Sequence, residues 1–502
     1  MLIKNYKKLV FLVMLAFTLS GTFLFTPLAN AQVNVISDTP AVGFDSTLAT
    51  SAWEAEGLFN THKLTATPGK LSVTCDGSTF NADGVTLTND QYAYSVYRTT
   101  VSLKPNTPYV MSGYVRVSDL AINPSHLANK NPSPFGFSVK YKDYYNTEVI
   151  KTARLLNSAG NATDGWKKLE FHFISRPQTD AVINLHLGNL AYDAKGKVEF
   201  AGVTLKEDSS YKTVSHSDFV AAVPVSQLEE YSVSDTEFDN WGLKLNSVTQ
   251  KLRQLTSQDD LGVTQCFMHN NKTLDDDYNE PYAYAYFGGI LPCHFSTACS
   301  EFTMQYALNQ DAVEHSQIHE ISHTYNTDLN RKWNFDDEIF TNVRAAYAAI
   351  ESNINVVCAP NSKVYRGIEY KQHYDSAWAD YASNSTVNRN GYDQKAMGDI
   401  YLRMVYGDTS ANLPALGWDV FKEFFSHGAS YTPTNEIKLD PNLTYTDDFK
   451  VFMNGLDIIA QISHKSMSEI IKYIPDGFYY RWYYNPSQSR FKAYNPQDPN
   501  NI

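Results

Sequence analysis

One segment, from Asp311 to Ile350, constrains the fold of this chain most, because it contains His319-Glu-Ile-Ser-His323. On a helix, residues four positions apart lie one above the other on one face, so both histidines can reach one cation. Glu320 can then address a water on that cation, as in the HExxH zinc motif. Asp311 and Glu314 have the spacing of a capping box, so we expect the helix to begin there.

A catalytic zinc site also needs a third protein ligand and one position left open for water. His315 lies four residues before His319, but it is eight residues from His323, or about 12 Å along a helix. One ion with bonds of about 2 Å cannot span that distance. Glu338, fifteen residues after His323, is the better candidate, because an apolar stripe at helical spacing follows it.

Two neighbours of Glu338 have different expected roles. Asn342 follows Glu338 by four residues on the same helical face, where we expect it to orient a ligand histidine by hydrogen bonding. Asp337 is the rival third ligand, but it points about 100° away from Glu338 on any helix they share, so only one of the two can face the histidines. We expect Asp337 to act only as a favourable N-terminal charge. The sequence therefore predicts one catalytic Zn²⁺ on His319, His323 and Glu338. The alternative is a chance match to the motif, which would seldom come with two patterned helices.

The N-terminus predicts export. Three lysines within the first eight residues precede an apolar run over 9–25, and Ala29-Asn-Ala31 matches a small-residue cleavage site. The run is long for a signal peptide, so an uncleaved membrane anchor is the alternative. We predict a signal peptide over residues 1–31 and a secreted, extracellular protein without a stable membrane span after cleavage.

The net charge limits the possible partners, while the cysteines and one acidic run offer candidate disulfide and metal-binding groups. The net charge of −13 argues against nucleic acid or anionic membrane as the main partner. Cys293 and Cys299 could close a short disulfide loop, or the five cysteines are small buried hydrophobic side chains. The acidic run over 274–280 could hold Ca²⁺, but it lacks the EF-hand spacing, and a solvated loop is the alternative.

Residues 32–210 show the period-two alternation of an all-β sandwich. Short alternating runs are separated by breaks rich in Asn, Gly and Pro, and the runs cover 92–97, 109–117, 135–141 and 169–173. Tyrosines at this spacing could stack on sugar rings if exposed, or be packed in the core.

This region resembles the jelly-roll carbohydrate-binding modules of the galactose-binding-like group. The resemblance rests on residues 103–117, 165–171 and 198–205, and it implies glycan binding. The group often carries an aspartate pair in its last strand, where this chain has Phe200 and Ala201.

Residues 211–485 show mainly helical patterning, and the tail over 486–502, rich in Pro, Asn and Gln, is expected to be loose. The helical part resembles the enhancin-like (mucin-targeting) family of gluzincin zinc metallopeptidases. The residues that carry the resemblance are His319–His323, Trp333 and Glu338-Ile-Phe-Thr-Asn342.

The resemblance implies a mainly α-helical (α+β) zincin domain. It also implies a zinc metalloendopeptidase that cuts protein or mucin-type glycoprotein substrates. We expect a zinc-activated water to attack, with Glu320 as the general base and His373 or Tyr374 as candidate helpers for the oxyanion. The alternative is a secreted glycan-binding adhesin with a non-catalytic metallopeptidase-like domain. A zinc enzyme acting on a non-peptide bond also fits the spacing.

Overall fold

The fold is given by a computed structural model. It describes residues 54–57, 65–123, 135–142, 148–152, 165–177, 180–188, 193–259, 261–269, 283–285, 292–326, 332–333, 336–359, 362–383, 394–434, 444–445, 447–474, 483–485 and 490–492. The expected signal peptide and the acidic run over 274–280 lie outside these residues. Within the described residues, no helix has the length and apolar character needed to cross a membrane.

The first part of the chain is a sandwich of two five-stranded sheets. One sheet has the order β1 (Glu54–Gly57), β4 (Ser95–Ser102), β9 (Asp180–Leu187), β6 (Phe135–Lys142), β7 (Glu148–Thr152). The other has the order β2 (Thr65–Cys75), β3 (Ser78–Ala93), β10 (Ala194–Glu207), β5 (Pro108–Ile122), β8 (Lys167–Ile174). Neighbouring strands in both sheets are antiparallel.

Alternation along the strands explains the sandwich. On β5, Tyr109, Met111 and Val115 belong to the core between the sheets, whereas Tyr114 and Arg116 are only partly buried. Successive side chains on a strand point to opposite faces, so one face of the sheet is apolar. The expected all-β architecture of this part is confirmed.

The second part mixes helices with three small sheets. Its strands are β11 (Tyr211–Ser215), β12 (Phe219–Pro224), β13 (Thr264–Met268), β14 (Ala283–Tyr284), β15 (Cys293–Phe295), β16 (Ala312–Glu314), β17 (Asn355–Cys358), β18 (Lys363–Arg366), β19 (Thr444–Tyr445), β20 (Tyr483–Asn485) and β21 (Arg490–Lys492). The sheet orders are β11-β12-β13-β15-β14, β16-β17-β18 and β19-β20-β21. The tail that we expected to be loose therefore contributes one strand, β21.

The helices of this part make it α+β, as expected. They are α1 (Val225–Glu230), α2 (Asp235–Thr256), α3 (Thr297–Phe302), α4 (His315–His323), α5 (Asp337–Glu351), α6 (Lys371–Ser383), α7 (Gln394–Tyr406), α8 (Trp418–His427), α9 (Asp447–Ser463) and α10 (Met467–Ile470). Short π and 3₁₀ turns follow α3, at Thr303–Ala307 and Leu308–Gln310.

The motif helix α4 begins later than expected. Asp311 has a left-handed φ of 52°, and Ala312–Glu314 pairs with β17 as a parallel strand. Glu314 is the N-cap, and its carboxylate accepts hydrogen bonds from the backbone N–H groups of Ser316 and Gln317. In return, the side-chain oxygen of Gln317 accepts a hydrogen bond from the backbone N–H of Glu314. The capping box is therefore formed by Glu314 and Gln317, because the residues after Asp311 form a β-strand and not the first turn of the helix.

The sandwich and the second part pack together at the β11–β12–β13 sheet. Ile174 of β8 shares a buried cluster with Tyr211 and Phe267. Gln265, only 2 % exposed, donates to the carbonyl of Ser175 and accepts from Arg176. The described residues all belong to one compact unit, in which the two parts share this interface.

All five cysteines are described, and none of them forms a disulfide. Cys293 lies in β15 opposite Cys266 of the neighbouring strand, whereas Cys299 lies in α3 with its sulfur 3.8 Å from Glu314. The disulfide between Cys293 and Cys299 is therefore not formed, and four of the thiols are buried, as the alternative supposed.

Candidate metal centre

Three donor side chains converge where α4 meets α5. Nε2 of His319 lies 2.9 Å from Oε2 of Glu338, and Nε2 of His323 lies 3.3 Å from Oε1. The two Nε2 atoms are 3.2 Å apart. Both histidines come from successive turns of α4, and Glu338 comes from the first turn of α5.

These separations fit one divalent metal ion. A tetrahedral ion with bonds of about 2.0–2.1 Å holds its nitrogen and oxygen ligands about 3.3 Å apart. The Glu338 side chain is 44 % exposed, whereas those of His319 and His323 are 13 % and 9 % exposed. The donor cluster therefore opens toward solvent on the Glu338 side, where a water or substrate can approach.

Burial and mutual hydrogen bonds shift the pKa values of the three donor side chains. Hydrogen bonds with His319 and His323 hold the pKa of Glu338 well below its usual range. Burial lowers the pKa of His319, in spite of the opposing effect of Glu338. Burial also opposes protonation of His323, but hydrogen bonds to Asp337 and Glu338 outweigh it and raise the pKa of His323 to about 9.

Glu320 lies beside the donors. It is 8 % exposed, and its carboxylate lies within 4.8 Å of a ligand nitrogen on each histidine. Burial raises the pKa of Glu320 to about 7, with His323 opposing the shift. A base whose pKa lies near the working pH both takes and returns a proton readily.

Asp337 has a larger role than a helix-end charge. Nδ1 of His323 donates to Asp337 at 2.5 Å, and Asn326 and Arg344 also donate to its carboxylate. Arg344 is wholly buried and donates as well to the carbonyl of Ser322, so it ties α5 to α4. Asp337 therefore fixes the tautomer and orientation of His323, with Thr341 3.2 Å from the same nitrogen.

Asn342 does not orient a histidine, and our expectation for it was wrong. Its amide donates to the backbone carbonyl of Glu338 at 2.7 Å, one turn earlier on α5. Among the described residues it makes no hydrogen bond to His319 or His323, and its Oδ1 is buried without a partner. The expectation failed because a side chain four residues along a helix can bond to the backbone of its own helix.

The candidate oxyanion helpers make contacts with other groups. Tyr374 is wholly buried and its hydroxyl donates to the carbonyl of Asn342 at 3.1 Å. His373 packs its ring against His315 and Tyr370. Trp333 is 7 % exposed and donates to the carbonyl of Gly428, so it is a packing residue rather than part of an open cleft.

Sequence reasoning misassigned the role of Asp337 and did not identify Thr341 and Arg344 as site residues. One signal could have found the first of them: a ligand histidine needs a partner for its second ring nitrogen, and a carboxylate next to the third ligand can supply it. Nδ1 of His319, in contrast, is buried without a hydrogen bond among the described residues.

Comparison with known proteins gives partial sequence matches. No family model matches the chain. It is 29 % identical over 203 residues to the tRNA3(Ser)-specific nuclease WapA of Bacillus spizizenii, and 28 % identical over 203 residues to the tRNA nuclease WapA of Bacillus subtilis. Each match covers 37 % of this chain and 8 % of the relative, so the chain spans a small part of these proteins.

Solved structures give weak matches. A xylan-binding CBM22-1 domain from Paenibacillus barcinonensis Xyn10C is 14 % identical, covers 32 % of this chain and 86 % of that chain, and has a TM-score of 0.22. A functionally unknown conserved protein from Bacillus anthracis is 9 % identical, covers 72 % of this chain and 66 % of that chain, and has a TM-score of 0.35. TM-scores this low do not establish a shared fold.

The expected enzyme class is corrected by these findings. The enhancin-like resemblance implied a zinc metalloendopeptidase, but the curated relatives are named as nucleases and not as metalloendopeptidases. That resemblance therefore gives no basis for assigning the type of bond that this protein cleaves. What the structure offers independently is the arrangement of donors around Glu320.

Proposed function

We propose that the second part of the chain is a zinc-dependent hydrolase whose ion is held by His319, His323 and Glu338. The observation that carries the proposal is the convergence of three donor side chains, whose donor atoms lie 2.9–3.3 Å apart, beside a buried Glu320. Among the described residues, no hydrogen bond within the protein accounts for a carboxylate at position 320, and burying one there costs free energy. A role in proton transfer accounts for its presence.

Zinc in such a site lowers the pKa of a coordinated water toward about 7 and polarises a substrate oxygen. Glu320 accepts the proton of the attacking water and then returns a proton to the leaving group. Asp337 holds the Nδ1 proton of His323, so that Nε2 presents its lone pair to the ion. These steps serve hydrolysis of an acyl, glycosyl or phosphoryl bond.

We further propose that the sandwich holds glycan-bearing substrates near this site. On the outer face of the β2-β3-β10-β5-β8 sheet, the rings of Phe80 and Tyr114 meet at 5.1 Å and are partly exposed. Arg116, paired with Glu199, lies beside Tyr114 on β5. Aromatic faces next to charged hydrogen-bonding groups are suited to sugar rings.

The test is hydrolysis by the full chain of a panel containing a mucin-type glycoprotein, a soluble polysaccharide and tRNA. Each is incubated with zinc, with a chelator, and with the chelator followed by excess zinc. We expect one member to be cut in a zinc-dependent manner. Glu338→Ala should abolish that cutting, and Glu351→Gln, an exposed carboxylate change on the same helix, should retain it.

The outcomes separate the proposals. Cutting that survives both chelation and Glu338→Ala would contradict the zinc site. A chain that binds zinc and glycan but cuts none of the panel would instead favour the glycan-binding adhesin. Glycan affinity lost in Tyr114→Ala, with cutting of small substrates retained, would support the separate role of the sandwich.

A further inference from the structure

A second group of metal-ligand side chains lies one helical turn before His319. A ring nitrogen of His315, a ring nitrogen of His373 and Sγ of Cys358 all lie within 4.8 Å of one another. The three residues belong to α4, α6 and β17, so the fold brings them together from separate segments. His315 precedes His323 by eight residues, so it cannot share the ion of the first site.

His315 is held in the way that metal-binding histidines usually are. Its Nδ1 is hydrogen-bonded to the hydroxyl of Tyr370, which leaves Nε2 for an ion. The rings of His315 and His373 meet at 4.9 Å between centroids, and Tyr370 stacks on His373 with an angle of 4° between the planes. Tyr370 therefore positions both imidazoles.

The other two donors are buried and lack an evident structural partner. Nε2 of His373 is buried and has no hydrogen-bond partner in the part of the chain that the structure describes. Cys358 is 3 % exposed and forms no disulfide. A buried polar nitrogen without a partner is uncommon in folded proteins, and a bound ion would satisfy it.

The three donors can reach one ion with small movements. The centre of a triangle with edges of about 4.8 Å is about 2.8 Å from each corner, whereas Zn–N and Zn–S bonds are about 2.0–2.3 Å long. Each donor therefore has to move inward by less than about 1 Å. Rotation of the side chains supplies movements of this size.

We propose that His315, Cys358 and His373 form a second zinc site, separate from the site on His319, His323 and Glu338. One thiolate and two imidazoles favour zinc over Ca²⁺ or Mg²⁺, which prefer oxygen ligands. The ion cross-links α4, β17 and α6, and so stabilises the start of the helix that carries the first site. This inference does not depend on the hydrolytic activity proposed above.

The test is titration of the metal-free full chain with Co²⁺. A cobalt–thiolate bond gives a charge-transfer absorption band, and the first site has no thiolate. We expect this band in the native sequence, with about two ions bound per chain. Cys358→Ser should remove the band and one ion, whereas Cys293→Ser, which changes another buried thiol, should retain both.

Two results would overturn the proposal. One is a native chain that binds about one ion and shows no thiolate band. The other is a band that persists in Cys358→Ser. His373→Gln gives an independent check, because it should lose the same ion while Cys358 remains. Circular dichroism monitors the folding of each variant, and the native-sequence titration decides the question even if a variant does not fold.

Discussion

Replacing Asp337 with asparagine tests the positioning of His323. The carboxylate accepts from Nδ1 of His323 at 2.5 Å and pairs with the wholly buried Arg344 at 3.1 Å. Asparagine keeps the shape but removes the charge, so it can accept from only one of these donors at its oxygen. The remaining donor then faces an amide N–H, and His323 loses its fixed tautomer.

The expected loss of zinc affinity is that of removing the hydrogen-bond partner of a metal-binding histidine. Removing a hydrogen-bonded partner of a metal-binding histidine costs about 10–100-fold in metal affinity. That loss corresponds to about 1.4–2.8 kcal/mol of zinc binding free energy. Leaving Arg344 buried without its carboxylate also lowers the free energy of unfolding, because an unpaired buried charge is costly.

The assay is zinc titration in competition with a chelator at constant pH. We expect the affinity of Asp337→Asn to lie between those of the native chain and Glu338→Ala, which loses a ligand. Glu351→Gln makes the same carboxylate-to-amide change on α5 at an exposed position and should bind zinc normally. An Asp337→Asn chain that is folded and binds zinc within about twofold of the native chain would refute the positioning role.

Two pH dependences and one contribution of the sandwich interface can also be tested. The pKa of His323 is about 9 without metal, so zinc binding must displace a proton from this histidine. Zinc affinity should therefore rise as pH increases from 6 to 8, by up to about tenfold per pH unit. An affinity that does not change with pH would contradict this. His172, held by Asp208 at 2.6 Å, has its pKa raised to about 9 by hydrogen bonds to Asp208 and Glu170 that outweigh the opposing effect of burial. Its stabilisation is therefore present below the unfolded-state pKa of about 6.5 and is lost as pH rises through 9, so His172→Asn should lower the melting temperature more at pH 6 than at pH 10. Gln265→Ala should lower the free energy of unfolding by about 1–3 kcal/mol in denaturant titrations, because it removes the hydrogen-bond partner of Arg176 and Ser175 at the sandwich interface. Gln254→Ala, at an exposed position, is the control. Equal effects of the two substitutions would count against a stabilising role of that interface.

The architecture was predictable where residue periodicity is strong. Alternation along β5 indicated the sandwich, because one face of each strand has to be buried. The start of α4 was not predictable to the residue, since Ala312–Glu314 pairs with β17, and that partner strand lies more than forty residues along the chain. Local capping signals do not contain such long-range pairing.

The metal centre was likewise predictable in its ligands but not in the residues that orient them. The spacing of His319, His323 and Glu338 indicated three donors on two helices, and the structure brings their donor atoms together. The choice between Asp337 and Asn342 as the partner of a histidine depended on how α5 is rotated against α4. The buried Arg344 of α5 donates to the carbonyl of Ser322 on α4 and so contributes to this arrangement. No pattern within α5 alone shows this contact.

The substitution Glu320→Gln tests the central claim most directly. The measurement is the hydrolysis rate on whichever panel substrate the native chain cuts, with zinc content determined on the same sample. Glutamine keeps the shape of Glu320 but cannot accept the proton, so we predict unchanged zinc content and a rate lowered by about 10² or more. A Glu320→Gln chain that keeps its zinc and hydrolyses at the native rate would contradict the account.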